Sequence, residues 1–125
     1  MVCTCKDNDK TTIKIIRETT AYFLFVFNVS DLSSFAGLQF TIRKNYETEP
    51  IINENITGLS GNEITVTLPP NKTALFTEFQ NGKNSAQYIW GLDLLTDDGQ
   101  VINIFPKTGE AAPLCIVYKH VPEEE

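Results

Sequence analysis

The chain has 125 residues, 42% hydrophobic and 21% charged, which excludes wholesale disorder and sets a single domain as the default. Ten basic against sixteen acidic residues give a net charge of −6. That balance argues against non-specific binding to nucleic acid or to an anionic membrane, both of which need clustered Lys and Arg, and no apolar run approaches the ~18 residues that span a bilayer.

The first eleven residues, Met1-Val2-Cys3-Thr4-Cys5 followed by a polar stretch, read as a flexible arm. They contain no basic segment followed by an apolar core, so no secretory signal is expected and the protein begins in a cytoplasm. In that setting the sequons at Asn28, Asn55 and Asn71 are chance matches. An odd number of cysteines, two of them only two positions apart, argues against a disulfide framework.

From Thr12 onward alternation dominates, which is the signature of strands. Ile13 and Ile15 share a face opposite Lys14. Over 22–29, Phe23, Phe25 and Phe27 take one side and Tyr22, Leu24 and Val26 the other, so this strand should be central or packed on both faces. The turn-rich segment 30–37 leads to Leu38, Phe40 and Ile42 pointing inward. Pro50-Ile51-Ile52 suggests a short edge strand. Ile64, Val66 and Leu68 mark the next half-buried strand, ended by Pro69-Pro70.

Helical spacing occurs once. Asn71 can cap, Leu75, Phe76 and Phe79 fall on one stripe, and Gly82 sits at a stop position, so a short helix is expected over about 72–80. Over 87–96, Tyr88, Trp90, Leu92 and Leu94 form an inward face. Thr96-Asp97-Asp98-Gly99 makes a turn, and 100–105 returns as the second arm of a hairpin. Residues 114–121 form a closing strand with Leu114, Ile116 and Tyr118 expected inward, and Pro122 to Glu125 is an acidic solvated tail.

Seven or eight short strands with one short helix predict an all-β protein, an antiparallel sandwich of immunoglobulin-like size spanning 12–121 as one domain.

The search for chemistry returns no catalytic, cofactor-binding or metal-binding residues. His120 is the single histidine, and no nucleophile motif, phosphate-binding Gly loop or His-x-x-x-His is present. Cys3, Cys5, Cys115 and His120 have the residue types of a zinc site, but Cys-x-Cys departs from the usual spacing. Small hydrophobic cysteines in the fold or in the arm explain them better. Asp97-Asp98-Gly99 lacks the alternating oxygen ligands of a calcium loop and reads as a hairpin turn. Glu47, Glu49 and Glu54 lie in the weakly patterned middle segment, where nothing marks a cleft. Among thirteen aromatic residues, Trp90 is placed in the core by its alternation, whereas Tyr22, Phe35 and Tyr46 stand off the main pattern as candidate interface anchors.

The order of these segments resembles a family of viral domains. Ile15-Ile16-Arg17-Glu18-Thr19-Thr20 precedes an aromatic strand. Asp31-Leu32-Ser33, Phe40-Thr41-Ile42-Arg43-Lys44 and Gly61-Asn62-Glu63-Ile64-Thr65-Val66-Thr67-Leu68 follow it. Thr73-Ala74-Leu75 and then Tyr88-Ile89-Trp90-Gly91-Leu92-Asp93-Leu94 with Asp97-Asp98-Gly99 complete the series. This looks like the immunoglobulin-like domains of bacteriophage virions, in particular the N-terminal domain of the baseplate upper protein family. The resemblance spans roughly 12–121 and implies a non-enzymatic virion structural protein of tail, baseplate or head. It implies docking on other virion proteins, homo-oligomerisation during assembly in the host cytoplasm, and no cofactor. A carbohydrate-binding sandwich is the alternative, and it would require two or three aromatic rings exposed on one sheet face or on loops.

Overall fold

In the computed structural model, residues 3–4, 12–79, 82–106 and 111–120 are described. The strands are β1 (Cys3–Thr4), β2 (Ile13–Ile16), β3 (Ala21–Phe27), β4 (Phe35–Arg43), β5 (Pro50–Ile56), β6 (Glu63–Leu68), β7 (Ser85–Thr96), β8 (Val101–Phe105) and β9 (Leu114–Tyr118), with one helical turn, α1 (Pro70–Thr73). Eight of these strands lie within 12–121, as the alternation predicts. Apart from the β1 backbone, the arm over 1–11 lies outside the described residues, and so does the acidic tail over 122–125. No helix among the described residues is long and apolar enough to cross a membrane.

Two sheets face each other. One has the order β1-β3-β6; the other runs β2-β9-β7-β4-β5, with β8 also paired to β7. The pairing is antiparallel except between β2 and β9, which run parallel from Ile13↔Cys115 to Ile16↔Tyr118. The first and last strands of the 12–121 region thus lie side by side, a departure from the wholly antiparallel sandwich that alternation suggests. Alternation reports which face a residue occupies and carries nothing about strand direction.

The core is filled from both sheets. Phe23, Phe25 and Phe27 of β3, with Ile64, Val66 and Leu68 of β6, meet Leu38, Phe40 and Ile42 of β4 and Tyr88, Trp90, Leu92 and Leu94 of β7. Phe40 lies 5.6 Å from Phe23, 5.8 Å from Phe25 and 5.8 Å from Trp90 between ring centroids, so it joins the two layers. Trp90 further contacts Phe25 at 5.7 Å and Phe105 at 5.1 Å. Tilted rings at these separations are the favoured arrangement for aromatic quadrupoles.

Three further expectations are corrected. The helix near 72–80 is a single turn, Pro70–Thr73. Its N-cap is Pro69, with no side-chain capping bond, no acidic residue lies in its first turn, and Asn71 sits inside it. Tertiary bonds hold the segment instead: Thr73 Oγ1 donates to the carbonyl of Thr19 at 2.7 Å, and Arg17 Nε donates to the carbonyl of Phe76 at 2.7 Å. Phe76 is buried against Tyr88 at 4.9 Å while Leu75 is exposed, so the apparent stripe is not on a helix. A turn this short has little stability of its own, and tertiary contacts decide its end.

The face of β9 is also reversed. Cys115 and Val117 point into the core, and Leu114, Ile116 and Tyr118 are half-buried on the outside. All five residues of the strand are apolar or aromatic, so the pattern has no phase. The register Tyr88↔Cys115 and Ala86↔Val117 sets it, because directly paired residues share a face. The edge strand β5 extends over seven residues, with its polar Asn53 and Asn55 outward. The strand β3 is central in its sheet, as its two apolar faces lead one to expect, and on its outer face Tyr22 is 70% exposed and Leu24 48%.

Candidate functional site

The two outer faces of the sandwich differ in chemistry. On the three-stranded sheet, Tyr22 and Leu24 of β3 stand next to Thr67 and Thr65 of β6 in direct register, and half-buried Val26 pairs with Glu63. An apolar ridge on a regular sheet, rimmed by threonine and glutamate, results. The six-stranded sheet instead presents Gln39, Thr41, Asn53, Asn55, Asp93 and Asn103. Gln39 Nε2 donates to Asn53 Oδ1 at 3.1 Å, tying β4 to β5 across this polar face.

A cleft opens in that polar face where β7 changes partners. One edge of β7 pairs with β9 from Ser85 to Ile89 and with β8 from Leu92 to Leu95. Trp90 and Gly91 fall at the junction, and the Trp90 N–H donates to the Pro113 carbonyl at 3.1 Å. Gly91 faces outward opposite Thr41. A Cβ there would lie 3.3 Å from the Phe105 carbonyl oxygen and 3.5 Å from Thr41 Oγ1, so glycine admits a close approach of the β8 backbone at this point. The cavity has a volume of ≈160 Å³; Thr41, Arg43, Tyr46, Asp93, Asn103 and Ala112 are among its walls.

Several of these groups are held in place. The Asn103 amide donates to Asp93 Oδ1 at 2.8 Å and to the Phe105 carbonyl at 3.0 Å. Arg43 Nη1 donates to the Thr48 carbonyl at 2.8 Å. Tyr46 projects from the turn between β4 and β5, which is closed by Asn45 Oδ1 accepting from the Glu47 N–H at 2.9 Å and by Thr48. The Tyr46 hydroxyl accepts from the Ala112 N–H at 2.8 Å, drawing that turn towards the segment before β9, and the residue stays 65% exposed.

Of the residues singled out by sequence, Tyr46 and Trp90 border the cleft and the others fall elsewhere. Trp90 is core, as its alternation indicates, at 2% exposure. Phe35 is partly buried against the core and is no surface anchor. Tyr22 and Tyr46 are both exposed, on different parts of the molecule: Tyr22 on the three-stranded sheet, Tyr46 beside the cleft. Asp97-Asp98-Gly99 forms the β7–β8 turn, with Gly99 at φ 89° and Thr96 N–H donating to the Gln100 carbonyl at 2.9 Å. The Asp98 carboxyl is held low by its hydrogen bond from the Thr96 hydroxyl. Glu54 faces Lys72 in an ion pair at the sandwich edge, whereas Glu47 and Glu49 are exposed.

The cysteine–histidine set is not assembled among the described residues. Cys115 is fully buried, and desolvation pushes its thiol up to about 12. His120 lies beyond the end of β9, with Nδ1 3.8 Å from Glu18 Oε1, and Glu18 Oε2 accepts from Arg17 Nη1 at 3.0 Å. Cys5 and the side chain of Cys3 lie outside the described residues. No group of three His, Cys, Asp or Glu side chains placed to hold a metal occurs among the described residues.

No protein-family model matches the chain, and no curated sequence matches it.

Proposed function

We propose that this chain is a non-enzymatic structural protein of a bacteriophage virion, a rigid β-sandwich that docks on other tail, baseplate or head proteins after synthesis in the host cytoplasm. The observation that carries the docking half of this reading is the outer face of β3. Tyr22 and Leu24 expose large apolar side chains side by side on a regular strand whose other face is locked in the core. Tyrosine offers a large amphipathic contact surface at small entropic cost and is enriched among the residues that dominate interfaces. The threonines of β6 beside it supply the polar rim that such patches carry. The virion assignment rests on the segment order described above, which is similar to the baseplate upper protein domains.

The test uses purified particles of the phage that encodes the chain. Mass spectrometry should find the protein in them at a fixed stoichiometry. A Tyr22→Lys, Leu24→Lys double variant should keep its unfolding midpoint and fail to be incorporated. Absence of the wild-type chain from the particles refutes the virion reading; normal incorporation of the folded variant refutes the docking face.

A further inference from the structure

We propose that the cleft at the β7 junction is a binding site for one neutral sugar ring, either a monosaccharide or the terminal residue of a glycan. This site lies on the opposite sheet from Tyr22 and Leu24, so it stands independently of docking through β3.

Size comes first. The cavity has a volume of ≈160 Å³, and Gly91 contributes no side chain to its lining. An enclosed apolar cavity of about 150 Å³ takes one benzene, so the recessed part of this open cleft matches one six-membered ring.

Hydrogen-bonding character comes second. The Asn103 amide spends both N–H groups inside the protein, on Asp93 Oδ1 and the Phe105 carbonyl. That orients its carbonyl oxygen and the second Asp93 oxygen as acceptors with no partner among the described residues. The Arg43 guanidinium is anchored at Nη1 by Thr48, which leaves further N–H donors, and Thr41 adds a hydroxyl that both donates and accepts. Acceptors and donors therefore face one space, with one positive and one negative charge. A carboxylate or phosphate would meet Asp93, and an ammonium would meet Arg43, each at a repulsive cost. Vicinal hydroxyls donate and accept from adjacent carbons and satisfy both sides without net charge.

The ring of Tyr46 comes third. Its hydroxyl is tied to Ala112 and its turn is cross-bonded, so the aromatic face is presented in a fixed orientation while remaining exposed. A pyranose presents a patch of C–H groups on one face and hydroxyls around its rim, which suits one aromatic wall and polar walls elsewhere. Preorganised side chains lower the ordering cost of binding.

The experiment is a heteronuclear NMR titration of the full, isotope-labelled chain. The probes are methyl α-glucoside, methyl α-mannoside, methyl β-galactoside and N-acetylglucosamine, with sodium acetate and sodium phosphate as charged comparators. At least one sugar should produce saturable shifts at the amides of Gly91, Asp93, Asn103 and Ala112, with a dissociation constant on the order of millimolar. Tyr46→Ala should weaken that binding by about fivefold to tenfold, from the loss of one stacked ring, whereas Tyr46→Phe should stay within about twofold. Gly91→Ala, which places a methyl on the floor, should abolish the shifts while leaving the rest of the spectrum in place. Three results overturn the proposal: no saturable shift at these amides with any sugar at about 50 mM, saturation by acetate or phosphate in place of sugar, or unchanged sugar affinity in a folded Tyr46→Ala variant.

Discussion

Replacing Phe40 by alanine is the most direct test of how the two layers are joined. Phe40 is fully buried, and its ring meets Phe23 and Phe25 from one sheet and Trp90 from its own. Truncating a buried phenylalanine costs about 3–5 kcal/mol, the transfer term plus the residual cavity. The upper half of that range is expected here, because the neighbours are rings locked by one another and cannot collapse into the space. A domain of this length holds roughly 6–19 kcal/mol in total, so the variant should remain folded with a large fraction of its stability gone. Urea unfolding followed by Trp90, the single and buried tryptophan, reads this directly. With a slope of about 1.5–2 kcal/mol/M, the midpoint should fall by roughly 2–3 M at unchanged slope. Phe40→Leu, which keeps most of the volume, should lose about 1.5 kcal/mol. Tyr22→Ala on the exposed face should stay within about 0.5 kcal/mol of wild type. A loss below about 1 kcal/mol in Phe40→Ala would show that the sheets do not pack through this ring, and the fold described above would be wrong at its centre.

Two further outcomes follow from local features. Burial raises the Cys115 thiol to about 12 in the folded chain against 9.0 for a free thiol. The unfolded state therefore loses its proton first as pH rises, so stability is constant below about pH 9 and falls between there and pH 12. In Cys115→Ala this part of the fall should be missing from urea midpoints measured at pH 8 and pH 10.5 (both about, chosen to straddle the unfolded thiol); identical pH dependence in the two proteins would contradict the burial. Glu18 is the one described non-glycine residue at positive φ, 70°. Glu18→Asn should raise stability by about 0.5–1 kcal/mol, since asparagine tolerates that region and the exposed contacts it gives up to Arg17 and His120 are weak. A lower thermal midpoint would count against strain at this turn.

Where polar and apolar residues alternate cleanly, the sequence states the face as well as the strand. Leu38, Phe40 and Ile42 against Gln39, Thr41 and Arg43 is one such case, and Ile64, Val66 and Leu68 against Glu63, Thr65 and Thr67 is another. Both match the structure. In Leu114–Tyr118 every residue is apolar or aromatic, so only the partner strand decides which side is inside. The segment after Pro70 fails for a different reason: Phe76 is buried by contacts to Tyr88 and Arg17 from distant strands, and helical spacing cannot anticipate them. Tyr46 is visible in sequence as a ring outside the alternation. Gly91 is visible only as one more outward position of β7.

The cleft is a consequence of strand lengths. β7 has twelve residues, whereas β8 and β9 have five each. Two short strands can cover one long edge only by meeting somewhere along it, and the chain must leave the sheet at that point. The strand β8 ends at Phe105 and β9 begins at Leu114, and Trp90 and Gly91 fall between their pairings with β7. Inward, the junction is sealed by the Trp90 indole against Phe105 at 5.1 Å, so the core suffers no defect. Outward, a Cβ at position 91 would press on the Phe105 carbonyl oxygen at 3.3 Å, and glycine relieves that contact. Glycine inside a central strand costs stability relative to a β-branched residue. Gly91 is not among the positive-φ glycines, so its dihedral does not require glycine. The approach of the Phe105 carbonyl, 3.3 Å from where a Cβ would sit, is what favours it, and the strand junction tolerates the cost because the two backbones close up there.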